Sequence, residues 1–360
     1  MIRPTSKGRA ARVLAPLMAS VLALSLSACG GGDDAPADEG GMPTVRVTSA
    51  GNIPAYEDVI WGIKGGYFEK AGVKVEMTPP LYSQDALNAL LAGDAELSII
   101  TATNVAGARD AGRPLKVVAE TQAPYPLEVV FTEATDKKLR AAGLSETSDI
   151  GDFFKALQGM TLGTSPVGSS INSTFRYLLS ERGLDPEKDD ITLQAMPDIP
   201  SQVAAMANEK VDGLVSALGG ASTGTAARGV GVVWKLTDMA GTESLNAIPY
   251  VNIATTDAFI KKDPEAIQAF LNGLREAQKS LRAGISAEDD KALKDQLGSE
   301  MDQKIYDDST TATQALFTDD YTTSKETWDV VLKVAAVISD KPLKVTFDDV
   351  IDNSFAEKVK

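Results

Sequence analysis

The chain has 360 residues and a formal net charge of −15, from 50 acidic against 35 basic residues. So acidic a surface repels phosphate backbones, whose binding rests on Lys and Arg, and argues against nucleic-acid binding. There is no histidine and one cysteine, which removes the commonest general base, the usual transition-metal ligands and every Ser-His-Asp or Cys-His arrangement. A catalytic role would have to rest on paired carboxylates or a lysine, so neither an enzyme activity nor a cofactor or metal is expected.

Arg3, Lys7, Arg9 and Arg12 charge the first residues, 13–26 form an apolar run too short to cross a bilayer unaided, and small residues precede Cys29. That is the pattern of an export signal. Leu26-Ser27-Ala28-Cys29 resembles a bacterial lipobox, in which the thiol is acylated and the signal removed before it. Residues 1–28 are therefore expected to be a lipoprotein signal peptide, with lipidated Cys29 and the small, acidic stretch 29–43 as a flexible tether. Loss of 1–28 takes away four basic and no acidic residues and brings the net charge to −19. Membrane attachment then comes from acyl chains and not from a basic patch, at a periplasmic or cell-surface location. Gly30 after the cysteine is compatible with outer-membrane sorting.

About 317 residues follow, enough for two domains. Short β-like runs alternate with helical patterns. In order, 44–49 reads as a strand, 56–70 as a helix, 73–77 as a strand, 83–92 as a helix capped by Ser83, and 97–101, 115–120 and 127–131 as strands. After a polar stretch the pattern restarts with strand 160–164, helix 169–182, strand 191–195, helix 201–208 and strand 213–217. Strands 230–236 and 251–255 follow, then amphipathic helices at 264–282 and 323–339. Such alternation predicts an α/β chain with largely parallel sheets covered by helices. The two handovers carry similar punctuation, Pro124-Tyr125-Pro126 and Ile248-Pro249-Tyr250, and are candidate hinges.

Several segments together resemble the solute-binding proteins of bacterial ABC importers, in the branch that binds nitrate, taurine, aliphatic sulfonates and thiamine precursors. They are Gly65-Gly66-Tyr67-Phe68-Glu69-Lys70-Ala71-Gly72-Val73, Ala89-Leu90-Leu91-Ala92-Gly93-Asp94-Ala95-Glu96-Leu97, Leu157-Gln158-Gly159-Met160-Thr161, the stretch 178–186, and Asp263-Pro264-Glu265-Ala266, in the family's order. The resemblance implies a two-lobed type II periplasmic-binding fold with two crossover hinges and a helical C-terminal tail. Lobe 1 would be 44–126 with 249–360, and lobe 2 would be 127–248. It also implies a monomer that takes a small-molecule ligand to an ABC permease. Enzymes of the same fold need a catalytic cysteine, or a histidine with a cysteine cluster, and here there is no histidine and the one cysteine is the lipidation candidate. No Trp-Glu-Pro-like segment follows 216–218, which argues against a cationic ligand.

In open parallel sheets ligands bind beyond the carboxyl ends of the strands, so candidate contacts are sought there. They are Ser49 and Asn52 after the first strand, Tyr82, Ser83 and Gln84 before the next helix, and Thr101, Thr103 and Asn104 after the third strand. In the second half they are Ser165, Ser169, Ser170 and Ser216, with Tyr125, Tyr250 and Asn252 at the hinges. Ser169 and Ser170 serve equally well as helix caps, and Trp61 reads as core. These loops are rich in hydroxyls and amides and poor in Arg and Lys, which points to a neutral polar ligand or an anion held by helix N-termini. The reading is an importer's solute-binding lipoprotein; a sensory or scaffolding lipoprotein of the same fold is the alternative.

Overall fold

The computed structural model describes residues 41–49, 54–78, 83–298, 302–339 and 341–359. Cys29 and the stretch around it lie outside them. The strands are β1 (Thr44–Ser49), β2 (Lys74–Met77), β3 (Leu97–Ile100), β4 (Leu115–Gln122), β5 (Leu127–Phe131), β6 (Thr161–Thr164), β7 (Thr192–Ala195), β8 (Gly213–Ala217), β9 (Val232–Lys235) and β10 (Val251–Thr256). They form two sheets, ordered β2-β1-β3-β10-β4 and β7-β6-β8-β5-β9. The orders correspond position by position. In each, three parallel strands are followed by an antiparallel one. That antiparallel strand, β5 or β10, is the one the chain enters directly after crossing from the other sheet.

The central strands β3, β5 and β8 are buried along their whole length, as expected of strands covered on both faces. The two crossings lie side by side, Tyr125 N–H donating to the Ile248 carbonyl and Tyr250 N–H to that of Gln122, both at 2.8 Å. Two α/β lobes thus share a two-stranded connection.

The helix expected over 56–70 is two, Glu57–Lys64 and Tyr67–Ala71. They part at Gly66, whose φ of 67° a residue with a Cβ adopts only under strain. The short helices Ala102–Asp110, Glu133–Ala141 and Ile150–Ala156 were not expected. The first is built from small residues without an apolar stripe, and the second buries Leu139 as its one apolar residue beside Thr135 and Asp136.

The C-terminal part is helical, as expected. Helix Pro264–Ala283 buries Ile267, Phe270, Leu271, Leu274 and Leu281 along one face and packs on the first two helices. Phe270 stacks on Phe68 at 4.9 Å. Helix Lys325–Ser339 packs on both Ala102–Asp110, beside the first sheet, and Ser170–Glu181, beside the second. Trp328, Val331 and Ala335 join the cluster holding Val105 and Ala106, while Val334 joins the one holding Tyr177 and Leu178. Among the described residues no helix is long and apolar enough to cross a membrane.

Candidate functional site

A cavity of about 1400 Å³ opens where the carboxyl ends of β3, β6 and β8 meet the crossings. Three helices of at least nine residues begin on its wall: Ala102–Asp110, Ser170–Glu181 and Ile199–Ala207. The first two present first-turn N–H groups and the positive ends of their dipoles; the third has Pro200 in its first turn and the Asp198 carboxylate as its cap.

The first-sheet wall carries Thr101, Thr103 and Asn104. They are tied to one another, the Thr101 hydroxyl donating to the Asn104 amide oxygen and lying 3.0 Å from the Thr103 hydroxyl. Thr101 occupies the cap position of its helix without a side-chain bond to the backbone; Asn104 and Val105 N–H donate to its carbonyl, and the Ala102 and Thr103 amides precede them.

The second-sheet wall carries Ser165, Ser169 and Ser170. Ser169 is the cap, accepting from Asn172 N–H at 3.3 Å. Ser170 instead accepts from the Tyr125 phenol at 3.0 Å. Tyr250 donates to the Leu218 carbonyl at 3.1 Å. Tyr125 and Tyr250 meet edge to face, centroids 5.3 Å apart, so both crossing tyrosines reach into the second lobe while sharing the cavity floor. Burial pushes both phenols up, the Ser170 contact opposing this for Tyr125 and the neighbouring Tyr56 and Tyr125 adding to it for Tyr250. They stay neutral donors. Ser216 also lines the cavity but is wholly buried and accepts from Ser222 N–H at 3.2 Å, which ties β8 to helix Ala221–Ala226.

Two expected contacts go elsewhere. Ser49 and Asn252 are buried within the first sheet and do not line the cavity, because their side chains lie among the strands rather than beyond them. Asn252 pairs across the ladder with Ile100, and neither of its amide atoms has a partner. Asn52 and Tyr82 lie outside the described residues, as do the side chains of Ser83 and Gln84, although their backbone opens helix Ser83–Ala92. Trp61 is core, its indole N–H donating to Ser280 at 3.2 Å.

Sequence reasoning passed over Tyr56, Val167, Asp198, Ile199, Pro200 and Gln202, all on the cavity wall. A signal for part of this set was present. Asp198 followed by a proline two residues on marks a helix start, and Asp198 does cap its helix, accepting from Ser201 N–H at 2.7 Å. That bond and the Ser201 hydroxyl hold its carboxyl below the ordinary range. The charged residues on the wall are Asp85, Arg113 and Asp198. Among the described residues no group of three or more His, Cys, Asp or Glu is placed to hold a metal ion.

A model of the NMT1-like family matches residues 43–294. No curated protein matches the sequence. Solved structures share the fold. The periplasmic aliphatic sulphonate binding protein SsuA from Escherichia coli is 17% identical at a TM-score of 0.63, over 86% of this chain and 92% of that one. The periplasmic nitrate-binding protein NrtA from Synechocystis PCC 6803 is 13% identical at 0.60, over 88% and 87%. The ligand binding component of an ABC-type import system from Staphylococcus aureus, solved with zinc bound, is 13% identical at 0.61, over 88% and 99%.

Proposed function

The chain belongs to the NMT1-like family, and from that premise we propose that it is an extracytoplasmic solute-binding protein that captures a small polar or anionic organic molecule and delivers it to an ABC importer. The observation that carries this is the cavity at the carboxyl ends of both sheets, bounded by two adjacent crossings about which the lobes can close. In this reading lobe 1 is 44–126 with 249–360, lobe 2 is 127–248, and no bond is made or broken. The N-termini of helices Ala102–Asp110 and Ser170–Glu181 and neutral hydroxyl donors suit a carboxylate, sulfonate or similar group, which they can hold without a buried cation. The sulphonate and nitrate named for two structural neighbours are ligands of the same chemistry. Apolar wall residues such as Leu87, Ile99 and Ile171 suit a carbon body beside that group. Cys29 carries the lipid and 29–43 is the tether, leaving a monomer at the membrane surface.

A thermal-shift screen of residues 42–360 against sulfonates, carboxylates, aromatic acids, nitrate and pyrimidines tests the capture step. A ligand at a hundred times its dissociation constant adds roughly 2.7 kcal/mol of stability. One chemical class is expected to raise the melting temperature; no shift across the panel overturns the reading. For the anchor, Cys29→Ser is expected to release the protein from membranes, and retention would sink that part alone.

A further inference from the structure

A second cavity, of about 320 Å³, shares no lining residue with the cleft and lies between the start of helix Glu57–Lys64, the end of helix Pro264–Ala283, and helices Ala287–Gly298 and Gln303–Ala315. Its polar wall is Glu57, Asp290 and Gln314; its apolar wall is Leu281, Ile285, Ala287 and Leu293. Glu57 has no exposed surface, and neither carboxyl oxygen has a hydrogen-bond partner. Gln314 is its polar neighbour on the wall and partly offsets the effect of burial, and the charged groups around it are the carboxylates Asp58 and Asp290. Burial, reinforced by Asp58, pushes the Glu57 carboxyl well up.

A buried carboxyl with two unused oxygens facing two like charges calls for a cation or a proton. Basic residues of the surrounding helices are engaged elsewhere, Arg282 with Asp319 and the carbonyls of Gln314 and Phe317, and Lys294 with Gln303. The 20-residue helix Pro264–Ala283 also ends here, adding the negative end of its dipole.

We propose that this cavity is a second ligand site, for a small aliphatic primary ammonium whose head lies between Glu57, Asp290 and Gln314 and whose carbons lie on Leu281, Ile285 and Leu293. An ammonium has three N–H donors, and the wall offers three acceptor groups for them. Two carboxylates and an amide serve a metal ion poorly, since a hard divalent cation takes six or more oxygens, and the aliphatic half of the wall would be wasted on it. Asp290 keeps one oxygen for the Tyr306 phenol, which donates to it at 3.1 Å. Glu57 follows directly on Tyr56 of the cleft wall, so an occupant here holds the segment that carries one cleft residue.

The test is titration of the protein with n-butylammonium chloride at constant ionic strength, read by calorimetry, alongside calcium chloride and sodium chloride. Saturable binding of butylammonium is expected, weakened about tenfold or more in Glu57→Gln and in Asp290→Asn, the loss typical of a charged hydrogen-bond acceptor. Thr103→Val in the cleft is expected to leave it unchanged. No saturable binding, equal binding in both acid variants, or calcium binding that Glu57→Gln abolishes would each overturn the proposal. Asp290 is half-exposed, so Asp290→Asn decides the matter even where Glu57→Gln disturbs folding.

Discussion

The ligand cleft and the layer behind the first sheet handle polarity in opposite ways. On the cleft wall the described hydroxyls and phenols are neutral, and several bond one another or a nearby backbone group, as Thr101 and Thr103 do. In the layer, carboxyls themselves are buried. Asp58 accepts from the Gln278 amide at 2.7 Å and from that of Gln122 at 3.4 Å, and Tyr321 donates to Gln278 at 2.8 Å. Glu120 lies nearby on β4 with one oxygen unpartnered. The two regions meet at Gln122, whose side chain serves the layer while its carbonyl accepts from Tyr250 at the crossing. Neutral donors at a cleft can change partners cheaply when a ligand arrives; buried carboxyls cannot, and they set the fold's response to pH instead.

The largest expected effect comes from titrating that layer. Burial pushes Asp58 up to about 6, opposed by the hydrogen bond from Gln278, and Glu120 up to about 7. Both folded values lie above the unfolded ones, so the stability they confer is fully present below about pH 4 and is lost as pH rises through 6 and 7. Each contributes on the order of 3 kcal/mol. Urea unfolding from pH 4 to 8 should show the decline, and Glu120→Gln should flatten its upper part; a stability that rises across this range would remove the contrast between the regions. Next in size is Gln278→Ala, which leaves Asp58 and Tyr321 without their shared partner. It should cost about 2 kcal/mol in the urea midpoint, against a near-neutral Thr103→Val in the cleft.

Much of this architecture is legible in the sequence, and the reasons differ by region. Strands β5 and β8 and helix Ser83–Ala92 match their expected bounds, because continuous apolar runs and the helical spacing of Ala86, Leu87 and Leu90 are local signals. The helix after β3 was invisible because Ala-Thr-Asn-Val-Ala-Gly-Ala-Arg-Asp has no apolar stripe. Strand-end logic led to Thr101 and Ser170, which share the cavity, and to Ser49, which does not line it, since that logic cannot tell the last residue inside a sheet from the first beyond it. Asn252, sought at a hinge, is second in β10 and buried within the sheet. The acid layer gave no local sign. Asp58 reads as an ordinary first-turn acid, and its partners Gln122 and Gln278 are 64 and 220 residues away.

Within the cleft, Tyr125→Phe sharpens the comparison. It keeps the ring and its edge-to-face contact with Tyr250 and deletes only the bond to Ser170. The expected cost is about 1 kcal/mol, and Ser170→Ala added to it should cost little more. A fully additive pair in urea unfolding would mean that the two hydroxyls act separately.

The smallest effect on the fold, and the most telling for function, belongs to Val167. It is 73% exposed at the cavity rim beside Pro166, the most exposed large apolar side chain among the described residues. An exposed valine contributes almost nothing to folding, so Val167→Ser should leave the unfolding free energy within about 0.5 kcal/mol. Across the cavity lie Gly107 and Ala108, and a Cβ built on Gly107 would meet nothing within 4 Å. Lobe closure that seats Val167 in that space would bury it only in the liganded state. Partial burial of a valine is worth about 1 kcal/mol, so Val167→Ser should weaken ligand binding roughly fivefold while stability stays put. Unchanged affinity would show that the rim remains open when the ligand is held, and that closure leaves this edge of the cleft in water.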